Sequence, residues 1–195
     1  MSYSEQAQTI LESWVSGESL RKHCQAVAAS MRHFAQRAGA DPDLWGAVGL
    51  LHDMDYERHP NLELSETGHP FVGVAYLREN GWSEEVCRAI LAHADYSGVV
   101  AETPMEKTLL AVDELSSFVI AVALVRSSKS IFDVDVAAVK KKMKDKAFAR
   151  AVNRNDIIRG AELLGLTVDE LIGEVLTALQ AAADTLGIRG TPASQ

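Results

Sequence analysis

The sequence predicts an all-α fold. Three observations carry that expectation. Apolar residues recur at spacings of three and four along most of the chain, the pattern of one buried helix face. Segments that alternate apolar and polar residues, as a half-buried strand would, are scarce. Only five prolines interrupt the 195 residues.

Taken in order, a first helix covers about Ser4 to Val15 and stops near Gly17. A second runs from about Ser19 to Ala38, with the stripe Leu20, Cys24, Val27, Met31 and Phe34, and ends at Gly39. Asp41-Pro42 is a cap followed by a first-turn proline, and it opens a third helix through Leu51. His69-Pro70 starts a fourth, which closes at Asn80-Gly81. Ser83 caps a fifth to about His93. Thr103-Pro104-Met105-Glu106 is a capping box with proline inside it, and the long helix behind it reaches about Val125. Asp133 and Asn153 open two shorter helices. Thr167-Val168-Asp169-Glu170 is a second capping box, and its helix runs to about Leu186. The inward positions of that last helix, Val168, Leu171, Ile172, Val175, Leu176 and Leu179, are expected to pack on the chain's own bundle.

Composition narrows the function. Hydrophobic residues make up 47% and charged residues 24%, which excludes a disordered or low-complexity chain. The net charge of -8 argues against general nucleic-acid binding, and an aromatic content of 6% leaves few platforms for stacked bases. Cys24 and Cys87 are the only cysteines and no CxxC occurs, so neither a disulfide framework nor a thiolate zinc site is expected. The polar N-terminus lacks the basic and apolar regions of a signal peptide. The longest apolar run, Phe118 to Val125, is under half of the ~20 residues a membrane span needs. A cytoplasmic protein without a membrane partner is the expectation; the sequence sets no oligomeric state.

Charge is unevenly spread. Residues 126–159 hold ten Lys/Arg and four Asp/Glu, a local net of +6, and the remainder is strongly acidic. The basic core is Lys140-Lys141-Lys142-Met143-Lys144-Asp145-Lys146. It reads either as a solvated helix face or as an anion-facing wall beside an active site.

The histidines and aspartates are the unusual residues. His23 lies on the apolar stripe of its helix, His52 follows Leu44, Val48 and Leu51, and His93 continues the line of Val86 and Ile90. Asp113 sits near the middle of the long helix, after Leu109 and Leu110. A carboxylate is costly to bury unless it is paired or bound to a metal. Imidazole and carboxylate together suit Mn, Fe, Co, Ni or Zn, with Mg where carboxylates dominate. His33 and His59 do not join this set: His33 falls on the face of Ala26, Ser30 and Arg37, and His59 precedes Pro60 in a loop.

The order His23, His52-Asp53, His69, His93, Asp113 resembles the HD superfamily of metal-dependent phosphohydrolases. Leu50-Leu51-His52-Asp53 is similar to the hallmark segment, Ile90-Leu91-Ala92-His93 to the segment of the last histidine, and Ala111-Val112-Asp113-Glu114-Leu115 to the final-Asp segment. The resemblance covers about residues 20–125. It implies an HD-domain helical bundle with additional C-terminal helices: one domain with a core at 20–125, an extension at 126–186 and a flexible tail at 187–195. It also implies one or two divalent ions. One would be held by His23, His52, Asp53 and Asp113, and a second by His69 and His93 with Asp53 bridging.

The activity implied is hydrolysis of a phosphate ester, a nucleotide or another small phosphorylated metabolite, by attack of a metal-bound hydroxide. That chemistry needs no covalent intermediate, and no GxSxG elbow or P-loop is present. Asp55 would orient a ligand histidine, accept a proton, or cap its loop. Asp95 and Tyr96 are candidates for protonating the leaving group, and Arg126 and Lys129 for meeting substrate phosphate. Many relatives carry a glycine and a basic residue soon after HD, whereas Met54-Asp55-Tyr56-Glu57-Arg58 stands here. Two other readings fit the same ligands: a di-iron HD-type oxygenase, and a non-catalytic regulatory domain that binds metal.

Overall fold

The computed structural model describes residues 1–190 and, among them, contains nine α-helices and no strand. Cα proximity divides the chain into a first unit, Met1–Leu110, and a second beginning at Ala111. The part of the expected tail at residues 191–195 lies outside the described residues.

In the first unit α1 (Tyr3–Trp14) and α2 (Glu18–Ala38) pack on α3 (Pro42–Leu51). Ala7 and Leu11, Val27 and Met31, and Val48 and Leu51 are fully buried in that core. Gly49 sets the closeness of α2 and α3: a Cβ built there would stand 2.6 Å from the Cα of Ala28. Asp43, in the first turn of α3, accepts from the backbone N–H of Tyr3 at 2.6 Å and of Ser4 at 3.1 Å, donors a helix start leaves open. The start of α2 has no side-chain cap of its own. Glu57, just past His52-Asp53, accepts there from Gly17 N–H at 2.8 Å and from Ser16 N–H at 3.2 Å. The loop after Asp53 is thereby clasped to the helix that carries His23. Two further helices, α4 (Phe71–Glu79) and α5 (Glu84–His93), pack on each other.

The long helix α6 (Pro104–Leu124) spans the boundary between the units. Its expected capping box forms: Glu106 N–H donates to Thr103 Oγ1 at 3.3 Å, and Thr103 N–H to the Glu106 carboxylate at 3.1 Å. In the second unit α7 (Val136–Met143) and α8 (Arg154–Leu163) pack on α9 (Val168–Ala181). The helix expected to open at Asp133 opens instead at Asp135, whose side chain accepts from Ala138 N–H at 2.7 Å. Ser130 caps a 3₁₀ turn over Ile131–Asp133 and uses up the earlier start. The second capping box forms at Thr167, and α9 ends at Ala181, earlier than Leu186. Ile188 is buried, and its carbonyl accepts from Ile131 N–H at 2.8 Å. No helix among the described residues is long and apolar enough to cross a membrane.

Candidate metal centre

Two helix ends supply the first ring nitrogens. His52 is the C-terminal cap of α3 and His93 is the last residue of α5. Helix C-termini leave carbonyls without partners. His52 Nδ1 bonds the Gly49 carbonyl at 2.9 Å, and His93 Nδ1 bonds the Ile90 carbonyl, each three residues back. A carbonyl only accepts, so each Nδ1 carries a proton, and in the neutral ring Nε2 is the nitrogen left with a lone pair. His69 reaches the same state by another route. Its Nδ1 lies 2.7 Å from Asp55 Oδ1. The other oxygen of Asp55 accepts from Gly73 N–H, also at 2.7 Å. Asp55 is 1% exposed and both of its oxygens are engaged.

The Nε2 atoms converge on Asp53, and its two oxygens divide them. Oδ2 faces His23 at 3.3 Å and His52 at 3.6 Å. Oδ1 faces His69 at 3.3 Å and His93 at 3.5 Å. Asp53, His69 and His93 offer ligand atoms within 4.8 Å of one another. The Nε2 atoms of His23 and His52 are themselves 3.0 Å apart. Two lone pairs repel at that distance, so a proton or a cation must lie between them. Donors bound about 2.0–2.2 Å from one ion stand roughly 3.0–3.5 Å from each other, the spacing found here. The residues therefore fit a divalent metal: imidazoles of which three, His52, His69 and His93, have Nδ1 tied back, and a carboxylate with one oxygen for each histidine pair.

Electrostatics agree. Burial pushes the Asp53 carboxyl up, but the imidazoles around it, His52 first and then His23 and His93, outweigh it and hold it well below the usual carboxylate range. Asp53 stays an anion, as a ligand must. The side chains of His23 and Asp53 retain 18% and 17% exposure while His52 has none, so solvent reaches the cluster from the His23 side.

Asp113 is half-buried on α6, in the second unit. Asp95 is exposed on the 3₁₀ turn that follows His93. Beside it, Tyr96 has a buried hydroxyl with no hydrogen-bond partner among the described residues. Burial, then the charges of Asp53 and Asp55, push that phenol above its ordinary pKa. Arg126 is half-buried and Lys129 is exposed in the turn after it, both in the second unit. His33 and His59 stay outside the cluster, each beside an aromatic ring. The clasp of Glu57 on residues 16 and 17 was missed by the sequence reasoning, because no local pattern announces it.

Comparison with known proteins gives two kinds of match. The HD domain family matches residues 20–125. A ribonuclease Y of Cutibacterium acnes is 33% identical over 87 residues, 45% of this chain and 16% of that protein. A ribonuclease Y of Rhodopirellula baltica is 31% identical over 100 residues, 51% of this chain and 18% of that protein. The chain thus matches less than a fifth of the length of these relatives. No solved structure matches it.

Proposed function

The chain belongs to the HD domain family, and from that premise we propose that it is a metal-dependent phosphohydrolase acting on a nucleotide or another small phosphorylated metabolite. One observation carries the reading: the Asp53 carboxylate receives two pairs of imidazole nitrogens, one pair on each oxygen. Such a carboxylate suits two neighbouring ions. We assign His23, His52, Asp53 and Asp113 to one ion, Asp113 by its sequence motif, and His69, His93 and Asp53 to the other. Bound divalent ions supply Lewis acidity, lowering the pKa of water and offsetting charge on phosphoryl oxygens.

The chain's own residues have three tasks. Gly49 and Ile90 carbonyls and Asp55 hold the Nδ1 protons, so that the Nε2 lone pairs stay directed at Asp53. Asp55 is then a positioning residue, since neither of its oxygens is left to move a proton. Asp95, exposed just past His93, is the group we assign to exchange a proton with the leaving oxygen. Arg126 and Lys129 are assigned to substrate phosphate. The family core is taken as 20–125, with the C-terminal helices as its extension.

The relatives' name raises a second substrate class, an RNA phosphodiester. It rests on matches covering about half of this chain, and the net charge of -8 favours a small anion instead. A screen of nucleoside phosphates, sugar phosphates and a short RNA with Mn, Mg, Ni and Fe tests all of these. Metal-dependent phosphate release from a small ester, abolished by His52→Ala and by Asp113→Ala, is expected. Cleavage of the RNA alone would overturn the substrate class. Substrate-dependent O₂ uptake by an iron-loaded protein, or activity indifferent to both substitutions, would overturn the hydrolase itself.

A further inference from the structure

The second unit carries a cleft of about 350 Å³ between the end of α6 and α7, lined by Val122, Val125, Arg126, Ala138, Lys141 and Lys142. Three cations line it and, among the described residues, no carboxylate does. Lysines at the end of α7 have an ordinary explanation, since cations favour a helix C-terminus. Lys140 is further used by Asp169 at 2.7 Å. Lys142 lies 3.9 Å from Asp145 and over the Phe148 ring. Arg126 is different. Its Nε is buried and has no hydrogen-bond partner among the described residues; Arg154 Nε shares that state, but the other nitrogens of Arg154 donate to the carbonyls of Ala149, Val152 and Phe148. A buried N–H of a charged group without an acceptor is expensive, and native proteins seldom keep one without a use. A second groove, lined by Val136, Lys140 and Lys144 of the same segment, offers a contrast. It also takes Lys141, but its wall includes the Asp169 that neutralises Lys140.

We propose that the Arg126–Lys141–Lys142 cleft binds the phosphate or pyrophosphate group of a small molecule. The guanidinium supplies planar donors for phosphoryl oxygens and the two ammonium groups supply charge. Val122, Val125 and Ala138 form an apolar wall for the rest of the ligand, and Val125 is 60% exposed. The volume lies within the range of small-ligand pockets. The proposal deepens the substrate-binding part of the reading above, and it is tested by binding without turnover so that the two can fail separately.

The full chain is titrated with inorganic pyrophosphate and with a nucleoside monophosphate in EDTA, which keeps metal-dependent binding silent. Calorimetry gives affinity, and NMR follows the Arg126 Nε–Hε resonance. Saturable binding that moves this resonance is expected, weakened roughly tenfold or more in Arg126→Gln and in the exposed-site variant Lys141→Glu. Lys146→Gln, which also removes one positive charge but does not line the cleft, should bind like wild type. Absence of saturable binding would overturn the proposal. So would equal weakening by Lys146→Gln, which would mean a diffuse field. A short RNA that binds while both small ligands do not would overturn the ligand class.

Discussion

Replacing Asp55 with Asn separates positioning from mere packing. The carboxylate accepts two buried hydrogen bonds, from His69 Nδ1 and from Gly73 N–H, each 2.7 Å long. An amide has nearly the same shape but only one accepting oxygen. If that oxygen turns to Gly73, the NH₂ group faces His69 Nδ1. The imidazole proton must then move to Nε2 and cover the lone pair that faces Asp53. If the oxygen turns to His69, two N–H donors face each other at Gly73. Either arrangement costs about 1–3 kcal/mol, and the first should also weaken metal binding about 10–100-fold. Urea denaturation in EDTA reads the stability, a competing chelator reads metal affinity, and imidazole ¹⁵N shifts read the tautomer. An Asp55→Asn protein with wild-type metal affinity and His69 still protonated on Nδ1 would refute the positioning role.

Other perturbations probe the frame around the cluster. Gly49→Ala places a Cβ 2.6–2.7 Å from the Ala28 backbone. The helices α2 and α3 must separate, costing about 1–3 kcal/mol, and an unchanged urea midpoint would contradict that closeness. Glu106 is buried; although burial pushes its carboxyl up, backbone N–H groups of Glu102 and Thr103 and the Arg88 guanidinium bring it below its ordinary value of 4.5. A depressed carboxylate contributes stability that is present above its unfolded pKa and lost as pH falls through its folded pKa. Wild type should therefore exceed Glu106→Gln in stability at pH 7, with the gap closing on acidification below 4.5; a gap independent of pH would argue against it.

Much of the scaffold was legible because helix ends are encoded locally. Ser83, Thr103, Asn153 and Thr167 cap where their side chains predict, and Gly39 takes the left-handed φ of 66° that ends α2. The start of α7 is ambiguous in the sequence because Asp133 and Asp135 carry the same signal, and only packing decides between them. The histidines could be picked out by their apolar faces, but their tautomers could not. Those depend on the Gly49 and Ile90 carbonyls and on Asp55, the last of which lies fourteen residues from its partner. The burial of Arg126 Nε without a hydrogen-bond partner among the described residues is equally hidden, since the sequence shows only a basic segment.

The central claim is that Asp53 and its four histidines hold metal. Protein stripped with chelator, reloaded with Mn(II) and dialysed should retain one or two ions by mass spectrometry. Asp53→Ala, with its helical circular dichroism intact, should retain fewer. Wild-type protein that keeps none, or an Asp53→Ala variant that keeps as many as wild type, would contradict it.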